Sequence, residues 1–225
     1  MKVVAIASPR PGNGKSRFTW DLLVAFADAG LDAVAIDCGG STTLGEHNKI
    51  RAGSGFGALA VFAARSAAQL TKLLTKLRKA KKTVVLLDVP TGDIESEIRP
   101  YLAPADLTLV TVRATPAHIA ETAPLVRPLL KAGKAFHYLL VCTPHGGATY
   151  DNVFLARLGM TMQEARRLLL PMSIASRPTM IRDLDANGIG VLEALGNARV
   201  DQEAVGQASM ELRSIRQFLR DELDF

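Results

Sequence analysis

Residues 9–17 read Pro-Arg-Pro-Gly-Asn-Gly-Lys-Ser-Arg, one residue after the apolar run Val3-Val4-Ala5-Ile6-Ala7. The pattern predicts a short strand, a glycine-containing turn and a helix that opens on Gly-Lys-Ser. Small residues let backbone N–H groups close around an anion, and a helix N-terminus adds partial positive charge. A lysine there reaches outer phosphates and a hydroxyl helps hold Mg²⁺. The expected ligand is a nucleoside triphosphate, ATP or ADP with Mg²⁺. Pro11, Gly12, Asn13, Gly14, Lys15, Ser16 and Arg17 are the candidate nucleotide-binding residues. The strict phosphate-loop pattern has a glycine where this chain has Pro9.

A second candidate lies in Val84-Val85-Leu86-Leu87-Asp88-Val89-Pro90, an apolar strand that ends in an aspartate. In phosphate-loop enzymes such a carboxylate serves the metal, so Ser16 and Asp88 are the expected metal-side pair. Asp37 ends another apolar strand. It is read either as a switch-side carboxylate or as the cap of the turn that follows.

The elements that must position these groups follow from periodicity. Continuous apolar runs at Val3–Ala7, Ala33–Cys38, Val84–Asp88, Leu107–Val112 and Tyr138–Cys142 suit parallel strands buried on both faces, with a short strand near Leu169–Ile174. Helices are expected over Ser16–Ala29, Ala58–Lys79, His118–Ala132 and Thr161–Leu168, and from Gly190 almost to the end. Gly39–Gly57 and Thr143–Asp151 read as mobile loops. The alternation predicts an α/β fold: a doubly wound, mostly parallel sheet flanked by helices, of the P-loop NTPase type, with ligands at the C-terminal strand ends. One domain spanning 1–225 is expected.

The 225 residues are 48% hydrophobic and carry a net charge of +5, which favours a polyanionic partner. No signal peptide and no membrane-spanning stretch is read, and two cysteines form no disulfide framework, so a reducing cytoplasm is the expected compartment. The histidines His47, His118, His137 and His145 have no metal-ligand spacing and read as structural. Lys72, Lys76, Arg78, Lys79, Lys81 and Lys82 form a basic run. Arg213, Arg216 and Arg220 recur at helical spacing beside the apolar stripe Leu212, Ile215, Leu219 and Leu223. Either set could meet DNA phosphates or simply be solvated.

These motifs resemble the ParA/MinD group of deviant phosphate-loop ATPases. Arg10-Pro11-Gly12-Asn13-Gly14-Lys15-Ser16 is similar to its Lys-Gly-Gly-x-Gly-Lys-Thr/Ser loop. Ile36-Asp37 falls at its Asp-x-Asp strand end, and Asp88-Val89-Pro90 at its Asp-x-Pro strand. Ile174–Arg177, Gly190–Glu193 and the long last helix fit its tail. The resemblance implies an ATP-dependent homodimer that binds DNA without sequence preference. It further implies a small ParB-like or cargo-adaptor partner and nucleoid association within the cytoplasm, without membrane attachment. Arg10 falls at the lysine that reaches the opposite subunit's ATP, so Arg10, Lys15 and Asp37 are the catalytic candidates. Arg213, Arg216 and Arg220 are the DNA-binding candidates, and Thr143, Pro171 and Met172 stand where the fold places base recognition. Arg17 replaces a phosphate-side threonine, and Gly39 replaces the second aspartate, which helps place the attacking water and so bears on turnover. ATP binding with weak or absent intrinsic hydrolysis is therefore expected. The alternatives are a nucleotide-bound scaffold that never turns over and a metabolic ligase of the dethiobiotin-synthetase type.

Overall fold

The computed structural model describes residues 1–39, 43–142, 163, 167–170 and 173–225. Seven strands form one parallel sheet: β1 (Lys2–Ala7), β2 (Ala33–Asp37), β3 (Val61–Ala63), β4 (Val84–Asp88), β5 (Leu107–Arg113), β6 (Phe136–Cys142) and β7 (Ile174–Ala175), in the order β3-β2-β4-β1-β5-β6-β7. β1 is central, and the chain winds outward from it in both directions, to β4 on one side and β5 on the other. That reversal opens a crevice at the C-terminal end of β1, where the phosphate loop begins.

The apolar runs become strands because both sheet faces are covered. Along β1, Val3, Ala5 and Ala7 pack into one core and Val4 and Ile6 into the other. The first core is closed by α3 (Ala67–Lys79), α4 (Arg99–Leu102), α5 (Pro116–Ala120) and α6 (Ala123–Lys131). The second is closed by α1 (Lys15–Asp28), α2 (Thr43–Gly53), α7 (Pro178–Asn187) and α8 (Gln202–Leu223). Each fully buried Val, Leu or Ile contributes about 1.5–3 kcal/mol, so the sheet interior dominates the stability of the fold.

Local reading and structure part in several places. The helix expected over Ala58–Lys79 holds the edge strand β3. α3 begins only at Ala67, after Ser66, whose hydroxyl accepts a hydrogen bond from Gln69 N at 3.2 Å. Most of the loop expected at Gly39–Gly57 is α2, with Leu44 and His47 buried. The helix expected over His118–Ala132 is broken into α5 and α6. α7 was not foreseen. The final helix starts at Gln202 rather than near Gly190, capped by Asp201, which accepts from Glu203 N and Ala204 N at 3.0 and 3.1 Å. Of the strand expected near Leu169–Ile174, the described residues show β7 and a bridge between Leu169 and Tyr138. Most of the helix expected over Thr161–Leu168, and the loop at Thr143–Asp151, lie outside the described residues.

Candidate functional site: a phosphate loop between two cavities

The loop that leaves β1 is shaped by two glycines. Gly12 and Gly14 have φ of +78° and +73°, a region costly for any residue with a Cβ. Gly14 is the N-cap of α1 and offers no side chain to it. The first amide in α1 to find a helical acceptor is Phe18 N, on Gly14 O at 2.8 Å. The amides of the first turn are therefore directed out of the helix, as an anion requires. Asn13 braces the loop from within: its Nδ2 donates to Ser8 Oγ at 2.8 Å, and both residues are buried. The loop, with Lys15, Ser16, Gly39, Thr43 and Thr91, borders a cavity of about 310 Å³.

Lys15 Nζ donates to Asp88 Oδ1 at 2.6 Å, with the two side chains 12% and 1% exposed. The phosphate-side lysine and the metal-side aspartate thus meet across 73 positions of sequence. They meet because β1 and β4 are neighbours with Ile6 opposite Asp88. Asp37 lies opposite Asp88 on the other side of β4. Its Oδ1 accepts from Gly39 N at 3.0 Å and from Arg65 Nη1 at 3.3 Å. Burial pushes the Asp37 carboxyl above its ordinary value, and nearby Asp88 adds to this. The Gly39 amide and Arg65 oppose it without cancelling it. The cavity beside Asp37 is a separate one of about 270 Å³, bordered by Lys49 and Arg65. Arg10 is exposed at the rim of the phosphate cavity and pairs with Glu121 at 2.7 Å.

Arg17 turns the other way. Its Nε and Nη2 bind the two oxygens of Asp21 at 2.8 and 2.6 Å, its Nη1 donates to Asp185 Oδ1 at 2.7 Å and its Nη2 to Ile189 O at 3.1 Å. His47 Nε2 lies 3.1 Å from the same Asp185 oxygen, and Arg51 pairs with Glu193. This network ties the start of α1 to α2 and α7, whose backbones come close at Gly188. A Cβ there would lie 2.5 Å from Arg51 N. Burial raises the Asp185 carboxyl, but hydrogen bonds from His47 and Arg17 outweigh it and hold the group below its ordinary value. Of this set, sequence reading named only Arg17 as a site residue and treated His47 as structural. The i,i+4 spacing of Arg17 and Asp21 was a usable signal. Glu193 was noted only as part of the tail pattern, and nothing local pointed to Asp185.

On the far side of the loop a second, more apolar cavity of about 300 Å³ is bordered by Gly12, Arg113, Ile174, Arg177, Pro178 and Met180. Arg177 holds Glu211 of α8 through two bonds of 2.7 and 2.8 Å. Thr143, Pro171 and Met172 lie outside the described residues. On α8, Arg213 and Arg220 are exposed, whereas Arg216 donates to Ala25 O at 2.9 Å and lies 3.6 Å from Asp28. The lysines of α3 are on the opposite face of the sheet. Among the described residues no helix is long and apolar enough to cross a membrane.

The parallel sheet, its reversal at β1 and the glycine loop that opens α1 define a P-loop NTPase α/β fold. Within that class, the fold is that of the ParA/MinD-type ATPases. The chain is similar to MinD in the MinC:MinD cell division complex of Aquifex aeolicus (18% identity, TM-score 0.65, 97% of this chain and 96% of that one). It is similar also to MinD with Mg-ADP from Pyrococcus horikoshii OT3 (19%, 0.60, 94% of each chain). A ParA family ATPase from Chlorobium tepidum TLS matches at 10% identity and a TM-score of 0.62, over 92% of this chain and 98% of that one. No protein-family model matches the chain, and no curated protein matches it.

Proposed function

We propose that the protein is a ParA-like nucleotide switch that binds ATP or ADP with Mg²⁺ at Gly12–Ser16. The observation that carries this reading is the uncapped start of α1 facing a cavity beside the Lys15–Asp88 pair. The residues fit the ligand: Lys15 would exchange Asp88 for phosphate oxygens, and Asp88 with the Ser16 hydroxyl would hold the metal, which supplies charge neutralisation between phosphates. Arg17 contributes its backbone amide, since its guanidinium is committed to Asp21 and Asp185. The base would occupy the apolar cavity past Gly12. The Mg-ADP bound to one MinD neighbour supports this reading.

The finer reading is a single domain over 1–225 that forms a homodimer with ATP and binds DNA phosphates through Arg213 and Arg220. It would act in the cytoplasm, at the nucleoid, with a small adaptor protein that links it to cargo; the MinC partner of one neighbour supports a protein partner. Arg216 contributes less, being turned toward Ala25 and Asp28. Arg10 reaches a second subunit only after leaving Glu121. Turnover is slow, because among the described residues no carboxylate borders the phosphate cavity. The same observation favours a second reading, a nucleotide-bound scaffold without turnover.

Light scattering without nucleotide, with Mg-ADP and with Mg-ATP, alongside phosphate release with and without DNA, tests both. Dimers with ATP alone and slow release support the switch. A nucleotide-independent mass with no release supports the scaffold.

A further inference from the structure

If the phosphate cavity takes ATP, as proposed above, something must orient water beside the terminal phosphate. Phosphoryl transfer passes through a loose transition state, so placing the water in line matters more than a strong base. The described residues that border the cavity include Arg10, Lys15, Ser16, Gly39, Thr43 and Thr91, with no carboxylate among them. Asp88 is buried against Lys15, and Asp37 is held by the Gly39 amide and Arg65 beside the neighbouring cavity. Among the described side chains at this cavity, a hydroxyl is therefore the group able to accept a hydrogen bond from water.

Among the described residues, three hydroxyls border the cavity. Ser16 sits in the first turn of α1, where phosphate and metal are held. Thr43 opens α2 after β2, a strand separated from β1 by β4. Thr91 leaves β4, the direct neighbour of β1, three residues after Asp88. Gly39 and Thr91 both border this cavity, and a Cβ at Gly39 would stand 3.3 Å from the Cα of Pro90, the residue before Thr91.

We propose that Thr91 holds the attacking water. The water oxygen forms a bond to the terminal phosphorus while the bridging P–O bond breaks, its electron pair leaving on ADP. One water proton stays on the phosphate product and the other passes to solvent. Thr91 accepts a hydrogen bond and remains neutral throughout.

The test measures Mg-ATP affinity by calorimetry and phosphate release in a single turnover, for the wild type, Thr91→Ala and Thr91→Ser. Expected is a fall of at least about tenfold in release for Thr91→Ala, with ATP affinity within about twofold, and recovery of most of the rate in Thr91→Ser. Gly39→Asp supplies a carboxylate at the border of the same cavity. It should raise release and make it insensitive to Thr91→Ala. Release unchanged in Thr91→Ala, or no better in Thr91→Ser than in Thr91→Ala, overturns the assignment. ATP binding by the wild type without any release overturns it while the nucleotide site stands. Absence of ATP binding removes the site and the assignment together.

Discussion

Ser16 and Arg17 are consecutive, yet they open onto opposite environments. In front of Ser16 is a cavity where helix amides lack helical acceptors and a buried ion pair, Lys15–Asp88, joins two groups suited to phosphate and metal. Behind Arg17 is a network whose charges are already matched: Arg17 with Asp21 and Asp185, Arg51 with Glu193. Unsatisfied donors beside a cavity point to a ligand. Donors paired with the protein's own carboxylates point to architecture. The same helix start therefore does two jobs, and the network behind holds steady the amides in front.

Arg17 is where the two sides differ most in what a substitution removes. Removing one partner of a buried ion pair costs about 3–5 kcal/mol, because the remaining charges stay buried without compensation. Arg17→Met should lower the melting temperature by on the order of 10 °C in scanning calorimetry. ATP affinity, measured at a temperature where the variant is folded, should change by less than about threefold. A large loss of affinity with unchanged stability would reverse the roles given to the two sides.

Lys15→Ala probes the front. Charge-assisted bonds to phosphate of about 1.5–3 kcal/mol vanish, so Mg-ATP affinity by calorimetry should fall on the order of a hundredfold. Asp88 also loses its partner, so some stability is lost in the ligand-free protein.

The network should answer to acid. Asp185 sits below its ordinary 3.8, so its stabilising contribution is complete above that value. It is lost as pH falls below 3.8 through the lowered native value. Melting temperatures followed downward from pH 5 should drop more steeply in the wild type than in Asp185→Asn. Parallel curves would mean that Asp185 carries no net stabilisation.

Asp37 should give the smallest effect, with the opposite sign. Its carboxyl is raised, so the native state holds the proton more tightly than the unfolded chain does. The resulting stabilisation is full below the ordinary 3.8 and fades as pH rises through the raised native value. At pH 7 Asp37→Asn should match or exceed the wild type by less than about 1 kcal/mol in denaturant melts, since Arg65 is partly exposed and its pairing is worth little. A clear destabilisation at pH 7 would give the Asp37–Arg65 pair a larger role.

What was legible in the sequence was locally encoded. β1, the glycine turn, Lys15 and Ser16 lie within fifteen residues of one another, and Asp88 ends a strand whose apolar run is unbroken. β3 was hidden because a three-residue edge strand carries little period and its surroundings are rich in alanine, a helix former. α2 was read as a loop because its sequence, TLGEHNKIRAG, is polar and holds two glycines; it packs through Leu44, His47 and Arg51. Arg17 was expected at the phosphates because it follows Ser16. Its actual partners include Asp185, 168 positions away, which no local pattern could supply. The turn that engages Asp37 was one of the two readings of that residue, and the Gly39 amide makes it.

The central claim is that the α1 start recognises the outer phosphates of a nucleotide. Calorimetric titration of the wild-type protein with ATP, ADP and AMP, each with Mg²⁺, tests it most directly. One site per chain is expected for ATP and ADP, with affinity for AMP weaker by on the order of a hundredfold, since AMP lacks the phosphates that Lys15 and the loop amides would meet. Equal affinity for AMP, or no binding of ATP, would contradict it.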